Sequence, residues 1–130
     1  MSVFTPTARA TLLIPTAHNK HLFILLTDPK QPEGYTCNHN LLVPVGTIYP
    51  NRPHDATCLL YVGDHTFIKH NSYINYQQSR IEVTTTIEQM VKNGVFLERD
   101  ILDGAILARA CQGLLQSRHT ALKIRNFYEA

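Results

Sequence analysis

Apolar residues in this chain gather into short runs divided by turn-forming residues. His21-Leu22-Phe23-Ile24-Leu25-Leu26-Thr27 is continuous rather than alternating, which predicts a strand buried on both faces. Asp28-Pro29-Lys30-Gln31-Pro32-Glu33-Gly34 ends it, because neither proline can donate to a ladder. Leu41-Leu42-Val43-Pro44-Val45 predicts a second buried strand, with Pro44 pointing to an edge or a bulge. Cys58–Val62 and the alternating Ser79–Val83 predict two more. Thr85 and Glu88 have capping-box spacing, so a short helix is expected over Thr86–Lys92, stopped by Asn93-Gly94. Val95-Phe96-Leu97 reads as a short return.

From Asp100 to Gln116, Ile101, Leu102, Ala105, Ala108, Cys111, Leu114 and Leu115 recur at helical spacing. Gly104 and Gly113 interrupt this helix, as close packing or fraying does. The expected organisation is one domain over 1–130. It has a loose arm over 1–17, a bent sheet with the short helix over 18–97, a helix over 98–117 and a basic tail over 118–130. Strands followed by helices predict an α+β domain on a small, strongly bent sheet.

Composition narrows the class. With 130 residues, 44% hydrophobic and 17% charged, the chain has the material for one ordinary core. Its formal charge of +2 is too small to announce nucleic acid. Cys37, Cys58 and Cys111 are odd in number and lack CxxC spacing, which favours buried thiols in a reducing compartment. No run nears the ~18 apolar residues of a membrane span, and no apolar leader opens the chain. The expectation is a soluble cytoplasmic protein.

No other stretch holds so many proton-transfer and phosphate-holding groups as that between Gly63 and Arg80. Cleaving RNA needs a base for the 2′-hydroxyl, an acid for the leaving 5′-oxygen and a cation for the phosphorane. Histidine suits the first two roles near neutral pH. His65 and His70 are the candidates here, with Lys69, Arg80 or Lys20 as cation and Asp64 to orient a ring. Tyr73 and Tyr76 offer stacking surfaces. The bland alternatives are structural histidines, packed tyrosines, a turn aspartate and an ordinary strand arginine. Residues five apart on a strand face opposite ways, so the two histidines meet only across a turn or bulge. His54, Asp55, Asp64, His65 and His70 are possible metal ligands, but no HExxH, HxH or CxxC spacing supports a metal or cofactor.

The element order carries a resemblance. A basic turn, Asn19-Lys20-His21, leads into a strand. The next strand ends in Gly46-Thr47-Ile48. Then come Ser-Tyr-Ile-Asn-Tyr-Gln-Gln-Ser-Arg-Ile, a short helix ending at Gly94, and a last helix. Over about residues 18–117 this layout resembles the MazF/PemK toxins, ribosome-independent endoribonucleases of toxin–antitoxin modules. The resemblance implies a small SH3-like β-barrel and metal-independent cleavage of single-stranded RNA. It also implies a cognate antitoxin and a homodimer. Thr47 matches the family's hydroxyl, while Lys20 and His21 stand where the family has an arginine. The serine after the threonine and the Gly-Asp before the first core strand are missing, so the histidine stretch is expected to replace the usual groups. The predicted catalytic residues are therefore His65, His70, Lys69 and Thr47, and the predicted substrate-binding residues are Lys20, His21, Tyr73, Tyr76 and Arg80. Two other readings compete. One is a non-catalytic SH3-like module for peptide or nucleic acid. The other is a phage or plasmid regulatory partner acting through the C-terminal helix and tail.

Overall fold

The computed structural model describes residues 3–130. Among them are seven strands: β1 (Thr11–Pro15), β2 (Lys20–Leu25), β3 (His39–Thr47), β4 (Leu59–Leu60), β5 (Ser72–Ile74), β6 (Arg80–Val83) and β7 (Leu97–Arg99). Three helices accompany them, α1 (Thr84–Lys92), α2 (Gly104–Gln116) and α3 (Leu122–Glu129), with one 3₁₀ turn at Tyr76–Gln78. Every strand pairing is antiparallel, so the fold is α+β. The strands run in the order β4-β5-β3-β2-β1-β7, and β6 joins β3 beside β5. The two ends, β4 and β7, do not pair, so the expected closed barrel is corrected to an open sheet.

Strand β3 organises the sheet. One edge pairs with β2; the other pairs first with β6, over His39–Leu42, and then with β5, over Val45–Thr47. Pro44 falls in the gap between those two partners. Its carbonyl accepts the Asn75 N–H at 3.0 Å. In extended chain a residue's N–H and C=O project the same way, so the missing donor faces the gap where the chain has left the sheet for the 3₁₀ turn. Pro44 thus sits in a central strand, at a break in its neighbour rather than at an edge of the sheet.

Alternation divides the apolar residues between two cores. Leu13, Leu22, Ile24, Leu41 and Val43 point to one face, where Ala110 and Leu114 of α2 and Ile124 and Phe127 of α3 cover them. Leu12, Ile14, Phe23, Leu25 and Leu42 point to the other, where Ile87 of α1 joins them. Within the run His21–Thr27, the strand ends at Leu25, and its Leu22–Leu25 segment is buried on both faces, as the pattern requires.

Several boundaries differ from the sequence reading. Thr11–Ile14 is not a loose arm: β1 lies between β2 and β7, with all four residues buried. Helix α1 starts at Thr84, before the predicted capping box, and no side chain caps it. The Thr84 hydroxyl instead donates to Asn40 Oδ1 at 2.6 Å, inside the protein. Gly94 stops this helix with φ of +76°, as read from Asn93-Gly94. The long helix begins at Gly104, because the Asp103 carboxylate caps it through the N–H groups of Ala105 and Ile106. The basic tail folds as α3 and buries Ile124 and Phe127.

Candidate functional site

Helix α1 covers only part of its face of the sheet. On that face side chains alternate as His21, Phe23, Leu25 along β2 and as Leu42, Pro44, Gly46 along β3. Register places Arg80 opposite Leu42 and Tyr73 opposite Gly46. Ile87 of α1 packs with Leu12, Leu25 and Leu42. Beyond it, His21, Pro44, Gly46, Tyr73 and Arg80 line an open hollow of about 480 Å³, together with Thr16, Asn75 and Gln78.

The hollow has an apolar floor and a polar rim. The Arg80 guanidinium carbon stands 4.6 Å from the centroid of the Phe23 ring. This cation–π contact holds the guanidinium beside the ring and uses none of its N–H groups. Among the described residues no carboxylate pairs with Arg80; the one ion pair is Arg109 with Asp64, at 3.7 Å. Tyr73 packs against Gly46. A Cβ at Gly46 would come within 2.9 Å of the tyrosine ring, so this glycine makes room for the aromatic. The His54 ring stands beside Tyr73, with centroids 5.5 Å apart. Asn75 and Gln78 flank the 3₁₀ turn and bring amide groups to the same hollow.

A second hollow, about 340 Å³, opens at the same end of the sheet. It is lined by Thr47 and Ser72, which face each other across β3 and β5, and by the 66–70 loop with Phe67, Lys69 and His70. Both hollows touch Val45 and Gly46. Thr47 and Tyr73 occupy opposite faces of the sheet, since Thr47 and Gly46 are neighbours along β3.

The predicted site residues are thus divided. His21, Tyr73 and Arg80 share the first hollow; Thr47, Lys69 and His70 share the second. Lys20 is exposed at the start of β2, opposite Pro15, and lines neither. His65 belongs to neither hollow and is only 6% exposed. Its Nδ1 accepts the Phe67 N–H at 3.0 Å, and its Nε2–H donates to the Asp100 carbonyl at 2.7 Å, with Thr11 Oγ1 3.1 Å away. Both ring nitrogens are engaged in one neutral tautomer, which ties the 64–67 turn to β1 and the segment after β7. The two imidazoles expected to meet over one phosphate, His65 and His70, are therefore not brought together.

Tyr76 is fully buried, and its hydroxyl donates to the Ala110 carbonyl at 2.7 Å. Burial pushes this phenol far above its ordinary range. Its ring fills the space that a side chain at position 113 would occupy, so Gly113 marks close packing. Tyr76 accordingly packs between sheet and α2 rather than meeting a ligand.

No activated nucleophile stands out. Burial raises the thiols of Cys58 and Cys111, which disfavours the thiolate. Burial likewise lifts the Tyr128 phenol to about 12. Burial alone would raise Asp55 too, but hydrogen bonds from Ser117 and Thr57 outweigh it and hold the carboxyl below its usual value. Asp64 accepts the Tyr61 N–H at 2.8 Å and caps its own turn, so it orients no histidine. Among the described residues, no three His, Cys, Asp or Glu side chains are grouped to hold a metal ion.

The readings from sequence missed Asn75, Gln78 and Phe67, and weighed His54 only as a metal ligand. The available signal was parity: His21 and Phe23 share a face, and the polar Asn75–Ser79 segment interrupts the pairing of β3. Searches against protein-family models, curated proteins and solved structures found no match for this chain.

Proposed function

We propose that the protein binds single-stranded RNA in the first hollow and cleaves it there without a metal ion, as a toxin of the MazF/PemK type would. The convergence of His21, Arg80 and Tyr73 on one hollow floored by Phe23 carries this reading. An unpaired guanidinium over an aromatic ring suits a phosphodiester, because its fork matches two non-bridging oxygens. Tyr73 offers an aromatic edge to a base or a hydroxyl to the phosphate.

In the proposed reaction His21 takes the proton of the ribose 2′-hydroxyl and afterwards releases it to solvent. The 2′-oxygen forms a bond to phosphorus, and the bond from phosphorus to the 5′-oxygen breaks. The Tyr73 phenol gives its proton to that departing oxygen and regains one from solvent. The products are a 2′,3′-cyclic phosphate and a free 5′-hydroxyl, with no redox change. Arg80 neutralises the charge that grows on the phosphorane. His21 takes the role expected of His65, whose nitrogens are both engaged elsewhere.

A cognate antitoxin covering the hollow, a homodimer, an SH3-like ancestry for the bent sheet and a cytoplasmic setting belong to the same proposal. Among the described residues no helix is long and apolar enough to cross a membrane. A second reading, a binding module without turnover, is favoured by one observation: among the described residues, His21 is the one imidazole lining the first hollow. His21→Ala separates the two. An enzyme loses cleavage by about 10²–10⁴-fold while still binding uncleavable RNA; if the intact protein shows no cleavage to lose but does bind, it is a module.

A further inference from the structure

Resting on the RNA reading above, we infer that the second hollow is a further subsite for the same strand, so that one single-stranded RNA passes over the rim of the sheet at Val45–Gly46. Three observations meet here. The hollows share those two residues, so an occupant of one abuts an occupant of the other. Neither is lined by an aspartate or glutamate, whereas two other hollows among the described residues have acidic linings: Glu33 beside α3, and Glu88 with Glu98 near α1. Each of the acid-free hollows combines a cationic side chain with an aromatic one, Arg80 with Tyr73 in the first and Lys69 with Phe67 in the second. Phe67 is 41% exposed although apolar.

That repeated pairing is the chemistry of a polyanion carrying flat bases. The cation takes a phosphate, and the ring takes a base regardless of its identity. Thr47 and His70 add hydrogen-bonding groups to the second hollow. The hollows lie on opposite faces of the sheet and meet at Val45–Gly46, where the Tyr73 ring covers Gly46 on the side of the first. A flexible strand can turn over the rim there, while a duplex is too stiff and wide to follow it. The second subsite therefore selects unpaired RNA and contributes affinity rather than proton transfer.

The test uses the whole protein and fluorescently labelled RNAs with 2′-O-methyl groups, which bind without being cut. A dinucleotide, an octanucleotide and a duplex of that octanucleotide are titrated against the native chain, Arg80→Ala and the double variant Lys69→Ala/His70→Ala. Lys69 and His70 are exposed and have no structural duty, and circular dichroism verifies that the variants are folded. The octanucleotide is expected to bind more tightly than the dinucleotide. The double variant should lower octanucleotide affinity by about tenfold, leaving the dinucleotide unchanged. It should also flatten the salt dependence of octanucleotide binding by about 0.7 for each phosphate it no longer neutralises. Arg80→Ala should weaken both. Octanucleotide binding that ignores the double variant, or a duplex bound as well as the single strand, overturns the second subsite and leaves the first intact. Failure of every RNA to bind overturns the RNA reading itself.

Discussion

His65 shows how one residue can look catalytic and be structural. Its ring accepts from one backbone N–H and donates to one carbonyl, joining three segments that are far apart in the chain. His65→Ala would leave the Phe67 N–H without its partner and remove a buried ring, while the Asp100 carbonyl keeps the Thr11 hydroxyl, so a loss of about 1–3 kcal/mol is expected in denaturant unfolding. Activity per folded molecule should be unchanged. Arg80 is the reverse case: Arg80→Ala should fold normally and lose RNA affinity by at least about tenfold. Arg80→Lys should recover only part of it, since lysine keeps the charge but not the planar stack on Phe23. Titration with a labelled oligonucleotide measures both. Tyr76 and Gly113 form a coupled pair. Gly113→Ala should cost about 1–3 kcal/mol by overpacking against the phenol, and Tyr76→Phe should recover part of that cost in the double variant. His21, Tyr73 and Arg80 were recognisable in sequence by residue type, but their grouping was not. Which side chains share a face depends on strand register across β2, β3, β5 and β6, and nothing local to any one strand determines it.

Elements were more readable than sites wherever apolar period and stop signals agreed. The buried strands around Leu22–Leu26 and Leu41–Val45, and the α1 stop at Gly94, follow from local pattern. Strand β1 carries a weak signal because Pro6 and Pro15 bracket a run of only a few apolar residues, and its burial comes from β7, which joins it from 80 and more residues away. Strand β5 was hidden among polar residues for the same reason: Ser72 and Ile74 are buried by partners, not by pattern. The capping box at Thr85 lost to a tertiary contact, the buried pair of Thr84 with Asn40. The α2 C-terminus is fastened to the β3–β4 connection by Ser117 Oγ, which donates to Asp55 at 2.6 Å. The Asp55 carboxyl is depressed in the folded chain, so its stabilising effect is complete above the unfolded value of about 4 and fades as pH falls toward the folded value. The gap in Tm between the native chain and Asp55→Asn should accordingly be widest near neutrality and close in acid. Helix α3 is equally integral. Truncation before Arg118 removes Ile124 and Phe127 from the core and should unfold the sheet, so it cannot serve as a clean test of a tail-borne function.

At the scale of the molecule, an open sheet is covered on one face by α2 and α3 and only in part on the other by α1. The first hollow occupies the uncovered remainder, and the second lies on the opposite face at the same end, where β2 begins and β3 finishes. An expected barrel would have closed over this region; the open sheet leaves it accessible from both faces. Two acid-free hollows, each with a cationic side chain, meet at that end despite a formal charge of only +2. The most direct measurement is incubation of the purified chain with a single-stranded RNA and with the same RNA made 2′-deoxy throughout, in the presence of a chelator. The account predicts that the ribose strand is cut to fragments ending in 2′,3′-cyclic phosphate, that the deoxy strand stays whole, and that His21→Ala or Arg80→Ala abolishes the cutting. Cleavage that persists in both variants, or an RNA left intact and unbound by the native chain, would contradict it.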